Sequence, residues 1–168
     1  ARRKASQRAS DVAAQLLEVY ARREAREGFS FEKDPLDYER FSNAFPFEET
    51  PDQEVAIKAV VADMCNPGVM DRLICGDVGF GKTEVAVRAA FKCIQDGKQV
   101  AVLVPTTLLV QQHEKTFTER YAGFPIKVAG LSRFNTAKES KDILKELTDG
   151  GVDVVIGTHR LLSQDVVF

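Results

Sequence analysis

Residues 72–86 read RLICGDVGFGKTEVA, with three glycines in six positions followed at once by lysine and threonine. Glycine inside regular structure costs up to about 1 kcal/mol against alanine, so such a cluster belongs where a tight turn or a close ligand requires it. Gly76, Gly81, Lys82 and Thr83 fit G-x-x-x-x-G-K-[ST], with Gly79 as an extra glycine, between an apolar run of strand length and a helical pattern. The strand-turn-helix setting is what phosphate chemistry asks for. Backbone N–H groups must converge on an anion, which a glycine-rich loop permits, and a helix N-terminus adds partial positive charge. The expected cradle is Gly76, Asp77, Val78, Gly79, Phe80 and Gly81, continued by Lys82, Thr83 and Glu84. Lys82 would reach the β- and γ-phosphates and the Thr83 hydroxyl would ligate Mg²⁺, which makes these two the catalytic candidates. The plain alternative is a tight turn carrying a surface lysine.

The rest of the chain supplies a matching frame. Thr50 is a helix N-cap followed by Pro51 at the first helical position, Ile57, Val60, Val61 and Met64 share one face, and Asn66-Pro67-Gly68 ends the helix. Then RLIC leads to the glycine loop and a helix over about 82–95, QVAVLVP to a helix through LLVQQHEKTFTERY, IKVAGL to one through NTAKESKDILKELTD, and VDVVIGT to HRLL. Runs that are apolar on both faces and alternate with helices predict an α/β fold with a mostly parallel sheet covered by helices on both faces.

Upstream the signal is weaker. Val12, Leu16, Val19 and Tyr20 recur at helical spacing within 5–27, and Gly28 stops the run, which predicts an N-terminal amphipathic connector helix over 1–28. Residues 29–49 mix aromatics, acids and prolines without a sustained period and are expected to be an irregular lead-in, strapped to the core by Phe29, Phe31, Tyr38 and Phe41. Residues 50–168 form the principal domain.

Charge and cysteine usage narrow the partners. A net charge of -2 gives no global field toward polyanions, so any such site is a local patch. From residue 126 onward six basic side chains face six acidic ones, so there is no basic stripe. Cys65, Cys75 and Cys93 lack paired spacing and read as reduced thiols of a cytoplasmic protein. His113 and His159 have no partner at zinc spacing, and no apolar run approaches the roughly 18 residues of a membrane span. The arginine- and serine-rich opening, which starts at Ala1 without methionine, reads as a boundary within a longer protein rather than a transit peptide.

Gln53 carries two readings. With Thr50 it forms the capping-box pattern T-x-x-Q, and an amide can also donate to and accept from one edge of adenine. Phe45 and Phe47, just before it, offer an aromatic ring on which a base could stack.

The segments FPFEETPDQ, GDVGFGKTE, VPTTLLVQQH, LSRF and GTHRLL, in this order, resemble the first motor domain of superfamily 2 helicases. Within that superfamily the likeness is to the transcription-repair coupling factors, with the branch-migration helicase RecG as nearest relative. The resemblance implies a RecA-like P-loop domain in which Phe47 and Gln53 hold adenine, making the ligand ATP with Mg²⁺. It implies that Thr106, Thr107, Arg133, Thr158, His159 and Arg160 face DNA, although Thr106 and Thr107 also suit a helix cap. It further implies a double-stranded DNA translocase, whose RNA polymerase and excision-repair partners dock on parts outside this chain. Such motors need a D-E-x-H box and a second motor domain, neither of which lies within these residues. The chain alone is therefore expected to bind ATP weakly and hydrolyse almost none.

Overall fold

The computed structural model describes residues 2–32 and 36–168. In order these are helices α1 (Arg2–Glu24), α2 (Leu36–Asn43), α3 (Pro51–Met64) and α4 (Lys82–Gln95), strand β1 (Val100–Leu103), helix α5 (Thr107–Arg120), strand β2 (Val128–Leu131), helix α6 (Ala137–Thr148), strand β3 (Val154–Gly157) and a 3₁₀ turn, His159–Leu162. The three strands form one parallel sheet in the order β1-β3-β2, with Val154 opposite both Val100 and Val128. β3 is last in the chain and central in the sheet, which is why VVIG is buried at every position.

The period-2 alternation of β3 divides the core. Val154 and Ile156 face a cluster with Val87 and Phe91 of α4 and Val110, Phe117 and Tyr121 at α5, while Val155 faces Leu131, Leu147 and Leu161. Helices therefore cover both faces, as the apolar runs predict. Burying each of these aliphatic or aromatic side chains is worth about 1.5–3 kcal/mol, and Tyr121 adds direction by donating its hydroxyl proton to the Val87 carbonyl at 2.8 Å. A third cluster joins α3 to α4 through Ile57, Val60, Met64 and Val85. The start of α3 is a complete capping box: Thr50 Oγ1 accepts from the Gln53 N–H, and Gln53 Oε1 accepts from the Thr50 N–H at 2.9 Å.

Two expectations need correction. RLIC is not a strand. Among the described residues nothing pairs with its backbone; Ile74 packs against the α3–α4 cluster while Leu73 is 83% exposed, so the segment is irregular chain beside the helices. An apolar run becomes a strand only with a neighbour to complete its hydrogen bonds, and the free edge of β1 does not reach it. The lead-in, of which residues 33–35 lie outside the described residues, is not wholly irregular: it contains α2. Its anchors also differ in depth. Phe41 is fully buried and stacks on Phe91 at 4.0 Å, whereas Phe29 is half exposed. The apolar residues of α1 are likewise largely exposed.

Candidate nucleotide and nucleic-acid sites

The glycine loop turns on two residues in the left-handed region, Gly79 at φ 87° and Gly81 at φ 71°. A side chain at either position would be strained, and a Cβ at Gly81 would also collide with Gln53 Nε2. Gly81 is the N-cap of α4 and brings no side-chain hydrogen bond to the helix start. The first turn of α4 is thus without the side-chain cap that Thr50, Thr106 and Thr136 give to α3, α5 and α6. Lys82 folds back over the loop and donates from Nζ to the carbonyls of Gly76 and Asp77, each at 2.5 Å. Val78 projects into solvent, 99% exposed.

A cleft of about 840 Å³ opens beside this turn. Its walls include Phe47, Gln53, Gly79, Phe80, Gly81, Thr83 and Glu84, whereas Gly76, Asp77, Val78 and Lys82 lie outside it. Phe47, 73% exposed, meets the half-buried Phe45 edge-on, with ring centroids 5.5 Å apart. Gln53 meets the capping reading: its oxygen closes the capping box, while its Nε2 donates to the Phe80 carbonyl at 3.0 Å and ties α3 to the glycine loop.

The cleft wall carries an ion-pair cluster whose arginines sequence reasoning missed. Glu84 is buried, and its carboxylate accepts from Arg88 Nε at 2.8 Å and from Arg120 at 2.9 and 2.6 Å. Arg88 also pairs with Glu49. Burial opposes the Arg88 charge, but the bonds from Glu84 and Glu49 outweigh it and raise its pKa, while the same contact holds Glu49 below the usual carboxylate range. Glu84 is therefore committed to arginines rather than open to a cation. The only hint in the sequence was the placement of Glu84 directly after Lys82 and Thr83; Arg120, 36 residues on, carries no local signal.

A second cleft, of about 560 Å³, sits at the C-terminal ends of the strands. Thr106, Thr107, Arg133, Thr158, His159 and Arg160 all line it, together with Pro105, Ser132, Asn135 and Ser140. Each loop is internally braced. Thr106 caps α5 by accepting from the Leu109 N–H at 3.3 Å, Asn135 Oδ1 accepts from the Ser132 N–H at 2.7 Å, and Arg160 makes a two-pronged pair with Asp165 at 2.6 and 2.5 Å. Arg133 and His159 are exposed; Thr158 is buried. Hydroxyls, N–H groups and arginines at one sheet edge suit phosphate oxygens, and open α/β sheets bind ligands at that edge.

The sequence pattern of DEAD/DEAH box helicases matches residues 50–167, a stretch that holds the glycine loop and the whole second cleft, while Phe45 and Phe47 of the first cleft lie upstream of it. The chain belongs to the DEAD/DEAH box helicase family. The chain is 60% identical, over 99% of its length, to the transcription-repair-coupling factor of Haemophilus influenzae, and 57% identical over 100% to that of Escherichia coli. It spans 15% of the length of each of those relatives. Among solved structures, RecG bound to a three-way DNA junction aligns over 90% of this chain and 21% of its own, at a TM-score of 0.83 and 37% identity. A hypothetical ATP-dependent RNA helicase from Sulfolobus tokodaii, at 19% identity and TM-score 0.57 over 77% of this chain and 37% of its own, shares the fold. Among the described residues no helix is long and apolar enough to cross a membrane, and no three His, Cys, Asp or Glu side chains gather as a metal cage.

Proposed function

We propose that the chain is the ATP-binding motor domain of a double-stranded DNA translocase. The observation that carries the reading is the left-handed turn at Gly79 and Gly81, which leads into a helix N-terminus without a side-chain cap, beside a cleft walled by Phe47 and Gln53. In this reading the loop amides and Lys82 take the phosphates, and Lys82 must exchange its carbonyl partners at Gly76 and Asp77 for phosphate oxygens. Phe47 stacks on adenine and Gln53 presents its remaining N–H to the base edge.

The residues present suit Mg²⁺ as a companion of the phosphates. Mg²⁺ keeps several of its waters and is held by one or two protein groups, usually carboxylates, plus phosphate oxygens, so the Thr83 hydroxyl at the cleft wall would supply one protein ligand beside the phosphates. When bound, the ion would offset charge on the phosphates. Thr83 would orient it, the loop amides would fix the chain of phosphates, and Phe47 would exclude water from one face of the base.

Thr106, Thr107, Arg133, Thr158, His159 and Arg160 would grip the duplex backbone in the second cleft. Nucleotide-dependent grip becomes directed movement once a second motor domain is supplied. We read the work of the longer protein as pushing a stalled RNA polymerase off damaged DNA in the cytoplasm and bringing in excision-repair proteins. The likeness to the coupling factors, at 60% and 57% identity, supports this reading. The 37% identity to RecG supports a second one, remodelling of branched DNA; a full-length protein that releases a stalled polymerase but leaves three-way junctions intact would eliminate it.

The deciding experiment titrates a fluorescent ATP analogue against the protein and its Lys82→Ala variant, with and without duplex DNA. Binding that drops with the variant is expected, and equal binding by both overturns the phosphate assignment.

A further inference from the structure

We propose that Arg120 is a positioning residue that sets the base preference of the first cleft by holding the Phe45–Phe47 aromatic pair in place. The inference rests on the nucleotide reading given above and adds to it which residue makes the pocket selective.

Phe47 sits in a weak place for a selective contact. Residues 44–50 carry no helix or strand, so no ladder of backbone hydrogen bonds holds the ring. Gln53 cannot select a base unaided, because its amide already closes the capping box and bridges to Phe80. Discrimination between bases needs a ring and a polar edge fixed relative to each other, since a side chain left free to rotate accepts any flat ligand.

Arg120 supplies the missing rigidity. Its guanidinium, at the C-terminal end of α5, uses Nε and Nη2 to grip both oxygens of Glu84. It lies 4.2 Å from the ring centroid of the core residue Phe41 and 5.3 Å from that of Phe45. Arg88 stands 5.5 Å from the same Phe45 ring and is tied to Glu84 and Glu49. Phe45 is thereby set against two oriented cations, and Phe47 leans on Phe45. Two arginines and two glutamates are a costly way to fill a buried wall, which apolar side chains of similar volume would fill with equal or greater stability. What apolar residues lack is a flat, cationic surface locked by a carboxylate, which draws an aromatic ring to one orientation. Lysine, a point charge without the fork, would keep the charge and lose the orientation.

The test uses the full-length protein with Arg120→Lys and Phe45→Leu, and measures displacement of a fluorescent ATP analogue by ATP, GTP and tripolyphosphate. Tripolyphosphate has no base and reports only on the loop. For Arg120→Lys the expected result is an ATP affinity lower by about tenfold, an ATP-to-GTP preference falling toward one, and tripolyphosphate affinity unchanged. Phe45→Leu, which leaves the ion pairs standing, is expected to erode the same preference. An ATP-to-GTP ratio that stays at the wild-type value in Phe45→Leu, or ATP and tripolyphosphate affinities that fall in parallel in Arg120→Lys, overturns the proposal while leaving the nucleotide reading intact. Wild-type protein that binds no triphosphate, or binds it independently of Lys82, removes both.

Discussion

The two clefts are built in opposite ways. The first is closed by contacts between distant parts of the chain: Arg88 to Glu49 across 39 positions, Arg120 to Glu84 across 36, and Gln53 to Phe80 across 27. The second is braced within single loops, by Ser132 with Asn135, Thr106 with Leu109, and Arg160 with Asp165, none more than five positions apart. A pocket of the first kind exists only once the tertiary structure exists, and its members depend on one another. Side chains of the second kind keep their local geometry one by one, so damage there should be piecemeal.

The strongest challenge to this contrast is Lys82→Ala. Triphosphate affinity should fall by about 100-fold, as expected when charge-assisted hydrogen bonds to phosphate are removed, while duplex binding without nucleotide stays as it was. Calorimetric titration of both ligands would measure it, and a parallel loss of duplex binding would mean that the clefts are not separate.

Next in size is Gly81→Ala. The left-handed backbone and the clash with Gln53 together should lower stability by about 1–2 kcal/mol in urea unfolding. No loss would show that the turn relaxes freely and that the Gln53–Phe80 bridge is slack.

Smaller effects are expected at the sheet edge. Arg133→Ala should weaken duplex binding a few-fold and lower the salt slope by about one, whereas Arg160→Ala should do less, because Asp165 already balances that charge. Equal losses would indicate that the Arg160–Asp165 pair opens on binding.

The mildest prediction concerns acid. Arg88 holds Glu49 below its ordinary value of 4.5, so the stability that this pair contributes is present above pH 4.5 and disappears as pH falls through the lower folded value. Glu139, through its bonds at the Thr136 cap, and Asp165, through Arg160, act in the same direction from exposed positions. Unfolding midpoints followed from pH 6 down to about pH 3 should therefore decline, and more shallowly in Glu49→Gln.

Legibility from the sequence follows the same division. Helix α4 runs from Lys82 to Gln95 as its pattern predicts, the T-P-x-Q start of α3 is a capping box, and three apolar runs became β1, β2 and β3. These signals are local: a cap, a periodicity, a glycine that tolerates positive φ. RLIC has the same composition as a strand and yet is none, because strand formation depends on a neighbour and composition says nothing of neighbours. Helix α2 was hidden for a related reason. Its eight residues hold too few turns to show a period, and burial of Phe41 against Phe91 supplies what the pattern lacks. The strand-end residues could be named from short motifs, whereas the arginine wall of the first cleft becomes visible only when α5 is laid beside α4.

Helix α5 has a mechanical consequence. It starts at Thr107 on the floor of one cleft and finishes at Arg120 on the wall of the other, 14 residues or about 21 Å of stiff rod. An occupant that moved this rod as a unit would be coupled to an occupant of the other cleft, and linkage would make the coupling equal in both directions.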